Sequence, residues 1–231
     1  MTLEIVIEHF YEAEIAQKFG VKRVELVSAF DLSGLTPSYA AIKKCCSLPS
    51  IETHIMIRPR AGDFFYSADE LEIMHSDIEM AGQLGAKGIV FGVLDSFGNM
   101  DLSATQQLFE TAKKYNLEVT MHRAFDFSAK PFETLQSLIK IGFDRILSSG
   151  LAGNAELGLN NYPTLKAAAE NKIQIMAGGG INANTAEKLK GKVDAIHFAI
   201  RKAKSQQYNA VFGNEYEIDF EKIEAIKNIY K

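Results

Sequence analysis

Residues 67–91 run SADELEIMHSDIEMAGQLGAKGIVF and contain one complete helix–glycine–strand unit. Ser67 and Glu70 have the spacing of a capping box, which predicts that a helix begins there. Gly85 follows the amphipathic stretch and can take the left-handed conformation that often ends a helix. The apolar run at 88–91 then predicts a short buried strand. The segment therefore predicts a helix over 67–84, followed directly by a strand over 88–91.

The same unit recurs along the whole chain of 231 residues. Gly20 and Gly142 each stand between an amphipathic stretch and an apolar run, where a left-handed helix end is expected. Thr36 and Pro37 have the sequence of an N-cap and a first helical residue. The predicted strands are 3–7, 23–27, 52–57, 88–91, 118–121, 145–148, 173–177 and 195–198. The predicted helices are 11–19, 37–46, 67–84, 101–115, 130–141, 160–169, 185–189 and 221–230.

Alternating strands and helices predict a parallel sheet, because parallel neighbours need a crossover connection. Eight such units in 231 residues fit a single-domain α/β protein, a (β/α)8 TIM-type barrel over residues 1–231. The alternative is an open, doubly wound sheet. That fold usually has a glycine-rich turn after its first strand, whereas this chain has Glu8-His9-Phe10 there. We therefore favour the barrel.

Composition and charge exclude several classes of protein. Lys and Arg number 25 and Asp and Glu number 29, so the formal net charge is −4 and no basic surplus exists for general nucleic-acid binding. The apolar runs are too short to span a bilayer, and Glu4 stands where a signal peptide would be basic. The two cysteines, Cys45 and Cys46, are adjacent and rarely bridge each other. We expect a cytoplasmic protein that binds neither nucleic acid nor membrane.

Strand alternation predicts a polar barrel interior. Side chains of a strand point alternately to its two faces, and the fully apolar face of each strand must lie against the helices. The predicted inward residues are Glu4, Glu25, His54, Arg58, His122, Gln174 and His197. Buried charges need partners, so these residues must form a network. One interpretation is a structural plug that joins Glu4 and Glu25 to Arg58, and the other is a pocket at the C-terminal mouth, where barrel active sites lie.

The loops that follow the strands favour the pocket. Guanidinium groups suit carboxylates and phosphates, a histidine beside a carboxylate can move protons near neutral pH, and a glycine run offers bare backbone N–H groups to an anion. The predicted catalytic residues are Glu25, His122 and Asp126. The predicted substrate-binding residues are Arg58, Arg60, Asp63, Arg123, Ser149, Gly150, Gly178, Gly179 and Gly180.

The chain resembles the CutC family, named for copper homeostasis. The matching stretches are Arg23-Val24-Glu25-Leu26, Gly34-Leu35-Thr36-Pro37-Ser38, Ile57-Arg58-Pro59-Arg60-Ala61-Gly62-Asp63-Phe64, Gly92-Val93-Leu94-Asp95, His122-Arg123-Ala124-Phe125-Asp126, Ser148-Ser149-Gly150, Met176-Ala177-Gly178-Gly179-Gly180 and His197. The resemblance implies a TIM-type barrel, a cytoplasmic location, frequent homo-oligomers and copper handling.

The sequence departs from the family pattern at the positions that matter for copper binding. Many members carry cysteines near the ends of strands 1, 2 and 8, where this chain has Val6 and Ile7, Val27, and Phe198. Copper(I) prefers thiolate and thioether ligands, and the predicted pocket holds no thiol. A copper site would then use His54 and His197, with His122, Met56 and Met176 as further conceivable ligands.

Three functions remain open from the sequence. The first is a CutC-type protein of copper homeostasis that binds copper ion. The second is an isomerase or epimerase, a lyase or a hydrolase that acts on a small anionic metabolite. The third is a catalytically silent barrel that acts through protein partners. We expect a small anionic ligand or a copper ion as the partner, and a homo-oligomer.

Overall fold

The computed structural model describes residues 1–205 and 214–230, and its eight main strands form a closed parallel barrel. These strands are β1 (Thr2–Ile7), β2 (Arg23–Leu26), β3 (Glu52–Met56), β4 (Gly88–Phe91), β5 (Glu118–Met121), β6 (Arg145–Ser148), β7 (Gln174–Ala177) and β8 (Ala195–Ala199). The barrel closes where β8 pairs with β1, which places Glu4 beside His197. The predicted (β/α)8 barrel is confirmed, and the open-sheet alternative is wrong.

In the described ranges eight α-helices surround the barrel, and each begins and ends within two residues of its predicted bounds. They are α1 (Phe10–Lys18), α2 (Tyr39–Cys46), α3 (Ala68–Gln83), α4 (Leu102–Lys113), α5 (Pro131–Ile141), α6 (Tyr162–Ala169), α7 (Ala183–Leu189) and α8 (Phe220–Ile229). The capping box of Ser67 and Glu70 is present, and Gly85 has a φ of +87° directly after α3. The predicted start of α2 is wrong. Ser38, not Thr36, caps this helix, because the Thr36 hydroxyl accepts the backbone N–H of Arg58 instead.

Four short elements were not predicted from the sequence. Two 3₁₀ helices, Phe30–Leu32 and Arg123–Phe127, lie in the loops after β2 and β5. Strands β9 (Arg201–Ala203) and β10 (Tyr216–Ile218) pair in antiparallel fashion beyond β8. None of these elements has a long enough apolar period to be recognised in the sequence. No helix in the described parts of the chain is long and apolar enough to cross a membrane.

A polar plug fills the N-terminal half of the barrel. Arg145 Nη2 lies 2.8 Å from Glu118 Oε2, and Arg145 Nη1 donates to the Thr120 hydroxyl at 3.0 Å. Arg23 Nη2 lies 3.6 Å from the same Glu118 oxygen, and His54 Nε2 lies 3.7 Å from it. A structural plug therefore exists, but it is not the predicted one: its anion is Glu118 and its cations are Arg23 and Arg145.

His54 belongs to this plug and not to the mouth of the barrel. Its ring is fully buried against Gly88, where an added Cβ would come within 2.5 Å of the ring. Burial lowers the pKa of His54 to about 4, so the ring is neutral at physiological pH. The opposite faces of the strands carry aliphatic residues such as Ile5, Ile55 and Val119, all fully buried under the helices. The predicted alternation of polar interior and apolar exterior is confirmed at these strands.

Candidate functional site

A cavity of about 990 Å³ opens at the C-terminal ends of the barrel strands. This volume is at the upper end of the range for small-molecule sites. Of the residues predicted from the sequence, the structure brings a subset together around this cavity. These are Glu25, Arg58, Asp63, His122, Arg123, Gly179, Gly180 and His197.

Arg58 lies in the wall of the cavity as a buried cation, and no carboxylate of the described residues pairs with it. Nη1 donates to the backbone carbonyls of Leu32 at 2.9 Å and Gly34 at 3.2 Å, and Nη2 donates to that of Gly62 at 2.9 Å. Nε is buried and has no hydrogen-bond partner among the described residues, and the whole residue is 5% exposed. Its guanidinium stacks 5.2 Å from the Phe64 ring centroid. The predicted pairing of Arg58 with Glu4 or Glu25 is therefore wrong.

His122 lies beside Arg58 as a neutral hydrogen-bond donor. Its Nδ1 accepts the backbone N–H of Ala124 at 3.1 Å, so the proton of the neutral ring is on Nε2. Nε2 is buried and has no partner in the part of the chain that the structure describes. Burial, and then the charge of Arg58, lower the pKa of His122 to about 3. This state differs from the proton exchange near neutral pH that the sequence led us to expect.

Asp126 anchors a loop and does not line the cavity. Oδ1 accepts the Ser148 hydroxyl at 2.5 Å and the Leu151 N–H at 3.2 Å. Oδ2 accepts Arg123 Nε at 3.0 Å and both the N–H and the hydroxyl of Ser149, at 2.8 and 2.9 Å. Five donors saturate this carboxylate, so it has no lone pair left for a substrate proton. Asp126 is held within the loop by these contacts and does not line the cavity, so its predicted catalytic role gains no support from this geometry.

The contacts of Arg123 with this loop leave one of its three guanidinium nitrogens, Nη1, for the cavity. Its Nε and Nη2 are held by Asp126 and by the Ser149 hydroxyl, the latter at 2.8 Å. Its Nη1 has no acceptor among residues 1–205 and 214–230, and an added Cβ at Gly179 would lie 3.3 Å from it. The backbone N–H groups of Gly179 and Gly180 likewise have no acceptor in these ranges. This corner of the cavity therefore offers several unsatisfied donors.

Some predicted site residues lie outside the cavity lining. Arg60 is a loop residue that pairs with Glu70 at 2.5 Å and with Asp63 at 2.9 Å, and its side chain is 37% exposed. The Ser149 hydroxyl donates to Asp126 Oδ2 at 2.9 Å and is therefore used within the loop that Asp126 anchors. Gly150 packs against the backbone of Gly158. The backbone N–H of Gly178 donates to the carbonyl of Ser148, the last residue of β6, at 2.9 Å. The structure therefore does not bring Arg60, Ser149, Gly150 and Gly178 together with the other predicted substrate-binding residues around the cavity.

Three ionisable groups meet at the floor of the cavity. His197 Nδ1 lies 2.8 Å from Glu4 Oε1, and His197 Nε2 lies 3.7 Å from Glu25 Oε2. Burial raises the pKa of Glu25 to about 7, against the opposing charge of His197. Glu4 is also buried, but the hydrogen bond and charge of His197 hold its pKa at about 2. Burial lowers the pKa of His197, and the charges of Glu25 and Glu4 outweigh it, so that pKa is raised.

Among the described residues, Glu4, Glu25 and His197 form a group with the spacing of metal ligands. One donor atom of each side chain lies within 4.8 Å of the donor atoms of the other two. His54, which we predicted to share a metal with His197, is not part of the group. Thiol donors are also absent from the described lining of the cavity. Cys45 and Cys46 lie on α2, where burial raises the pKa of both thiols to about 11. The donor set therefore does not match the preference of copper(I).

Four residues of the cavity wall were not predicted from the sequence. The aromatic side chains of Phe30, Phe65 and Phe127 form part of the wall. Lys222 reaches the cavity from α8, and burial lowers its pKa. None of these residues belongs to a strand, so alternation could not place them. Strand alternation predicted that Glu4 points into the barrel. This predicted direction was the indication that the sequence offered of its contact with His197.

Fold and site together define a (β/α)8-barrel protein with a polar ligand cavity at the C-terminal mouth. The model of the CutC family matches residues 1–202 of the chain. The chain belongs to the CutC family.

Similar proteins support this membership. A CutC family protein of Histophilus somni is 38% identical over 244 aligned residues that cover all of both chains. A solved structure from Streptococcus agalactiae, described as a copper homeostasis protein CutC, is 30% identical with a TM-score of 0.80 and covers 85% of this chain and 97% of its own. The 3-hexulose-6-phosphate synthase of Salmonella typhimurium is 16% identical with a TM-score of 0.59, covering 99% and 98%. The last similarity shows the barrel fold alone.

Proposed function

We propose that this protein is an enzyme that acts on a small anionic metabolite, a phosphate ester or a carboxylate. One observation supports this most strongly: the Arg58 guanidinium is buried in the cavity wall, and no carboxylate of residues 1–205 or 214–230 pairs with it. A buried, unpaired charge costs several kcal/mol, so proteins rarely keep one without a counter-ion. An anionic ligand in the cavity supplies that counter-ion.

Further donors surround the same space. Arg123 Nη1 and the N–H groups of Gly179 and Gly180 at one corner, and His122 Nε2–H at another, find no acceptor in the part of the chain that the structure describes. Backbone N–H groups and guanidinium groups are the usual ligands of phosphate and carboxylate oxygens. A neutral imidazole N–H can donate to a carbonyl or hydroxyl oxygen of the substrate without adding charge. The cavity therefore provides contacts for an anionic group and for a second polar group.

Glu25 and His197 face this space from the floor and are the candidate reactive groups. Such a set fits isomerisation or epimerisation, lyase cleavage and hydrolysis. Each of these reactions needs a proton acceptor close to the substrate and a hydrogen-bond donor that stabilises the developing charge. Glu25 keeps the catalytic role predicted from the sequence. His122 is assigned the donor role in place of proton exchange.

A second proposal is a role in copper homeostasis, supported by the description of the Streptococcus agalactiae relative. Within this chain, the copper proposal is supported by Met56 and His197, because a thioether and an imidazole then both line the cavity. We also propose a cytoplasmic location, in keeping with two free cysteines, and a homo-oligomer, in keeping with exposed apolar residues such as Phe97 and Leu157. Light scattering after size-exclusion chromatography measures the oligomer directly.

Thermal unfolding against a panel of phosphorylated sugars, small carboxylates and anaerobic Cu(I) tests the enzyme proposal. Ligand at one hundred times its dissociation constant adds about 2.7 kcal/mol of stability, which shifts the melting temperature by a few degrees. We expect a shift with one class of anion that is lost in Arg58→Gln and kept in Arg60→Gln, a matched charge change outside the cavity. A shift with Cu(I) alone would instead support the copper proposal. No shift with any anion would contradict the proposed enzyme.

A further inference from the structure

The floor of the cavity carries an arrangement of donors that the protein alone does not satisfy. Glu4, Glu25 and His197 come from the adjacent strands β1, β2 and β8. We propose that they form a binding site for one first-row divalent cation of the Mn²⁺-to-Zn²⁺ series. The site shares the cavity with the proposed substrate. Its chemical role rests on the proposed function, but its occupancy does not.

The orientation of His197 supports this inference. When neutral, its ring donates Nδ1–H to Glu4 Oε1 at 2.8 Å, which leaves the lone pair of Nε2 on the side of Glu25. Glu25 Oε2 lies 3.7 Å from Nε2, too far for a hydrogen bond. Two ligands about 2.1 Å from one tetrahedral ion lie about 3.4 Å apart. The observed separation is close to that spacing, so one cation fits between these atoms with a small adjustment.

The carboxylate oxygens support it independently. Glu4 Oε2 and Glu25 Oε1 are buried and accept no hydrogen bond from any described residue. Other buried carboxylates of this barrel have guanidinium partners: Glu12 lies 2.6 Å from Arg201 Nε, and Asp126 lies 3.0 Å from Arg123 Nε. Both residues with unpartnered oxygens belong to the same three-residue group. A bound cation would satisfy the oxygens that no protein donor reaches.

The donor types select the class of ion. Two carboxylates and one imidazole give oxygen and nitrogen ligands without sulfur, which suits divalent first-row metals and disfavours copper(I). Glu4 also orients the His197 ring through Nδ1, as a carboxylate commonly does for a ligating histidine. Glu25 and His197 line the cavity, so the ion would be open to a substrate oxygen. An open coordination position of this kind is typical of catalytic metal sites.

Titration of the metal-free, full-length protein with Co²⁺ tests the site, with visible absorption and bound-metal content as the two measurements. We expect one equivalent of Co²⁺ with an oxygen–nitrogen spectrum that lacks the thiolate charge-transfer band. Glu25→Gln and His197→Gln should each weaken binding at least tenfold. His54→Gln is the matched control, because His54 is a buried interior histidine that lies outside the group. This variant should bind Co²⁺ as the unchanged protein does.

Each other outcome overturns the metal site. Absence of Co²⁺ binding by folded protein at millimolar concentration would do so, as would equal binding by Glu25→Gln, or loss of binding in His54→Gln. Thermal unfolding provides a check on the variants: Co²⁺ should raise the melting temperature of the unchanged protein more than that of Glu25→Gln at the same Co²⁺ concentration. The anion panel is read separately, in the absence of metal. Anion binding without Co²⁺ binding would therefore reject the metal site alone, and Co²⁺ binding without anion binding would reject the proposed substrate alone.

Discussion

Acid should destabilise this protein partly through His122. The folded protein holds the pKa of His122 at about 3, whereas an unfolded histidine titrates near 6.5. Between these values the unfolded state binds a proton that the folded state does not, so folding stability falls as the pH falls from 6.5 towards 3. Above pH 6.5 the ring is neutral in both states and this loss is absent. At pH 4.5, two pH units below the unfolded value, the loss is about 2.7 kcal/mol.

Urea unfolding at pH 7.5 and pH 4.5 measures this loss when the unchanged protein is compared with His122→Asn. The side-chain carbonyl of the introduced asparagine can take the place of Nδ1 as acceptor for Ala124 N–H, and this side chain does not titrate. All other titrating groups are common to both proteins. We expect the stability of the unchanged protein to drop by about 2.7 kcal/mol more than that of the variant. Equal drops would refute the neutral, buried state of His122.

Three further predictions concern packing, capping and the loop that holds Arg123. Gly88→Ala should cost about 1–3 kcal/mol in chemical denaturation, because the new methyl group would meet the His54 ring at 2.5 Å, and a neutral effect would contradict the tight plug. Ser67→Ala should cost about 1 kcal/mol in the same assay through loss of the α3 cap, whereas Ser67→Asp should not. Asp126→Asn should weaken anion binding measured by calorimetry at least tenfold, because Arg123 loses its anchor, and unchanged affinity would show that the anchor is dispensable.

The barrel itself could be predicted from the sequence because each unit carries local information. Capping at Ser67 and the left-handed conformation of Gly85 are decided within a few residues of chain, and both are present in the structure. The start of α2 was misplaced because the partner of Thr36 is Arg58, which is distant in sequence. Local patterns give the elements, but a competing tertiary hydrogen bond moves their ends.

The candidate site could be predicted only where a strand fixes the direction of a side chain. Glu25 and His197 lie within strands, and alternation placed them correctly. Arg58 lies just past the end of β3, where continued alternation predicted it to point inward, and it lines the cavity. Arg60 lies two residues further into the loop, where alternation no longer applies, and it pairs with Glu70 outside the cavity.

Asp126 shows the same limit for a carboxylate. The sequence places it four residues after His122, which is typical of an acid–base pair. Four of its five donors come from the end of β6 and the loop that follows it, including Ser148 and Ser149. These contacts exist only once β5 and β6 are paired, so saturation of this carboxylate could not be foreseen. The meeting of Glu4 with His197 likewise depends on closure of the barrel between β1 and β8.

Calorimetric titration with inorganic phosphate tests the central claim most directly, namely that the cavity binds an anion through Arg58 and Arg123. The unchanged protein and Arg60→Gln should bind one phosphate with the same affinity. Arg58→Gln and Arg123→Gln should each lose at least tenfold, the second serving in case loss of the Arg58 carbonyl contacts disturbs folding. Absence of phosphate binding, or equal binding by Arg123→Gln and Arg60→Gln, would contradict the account.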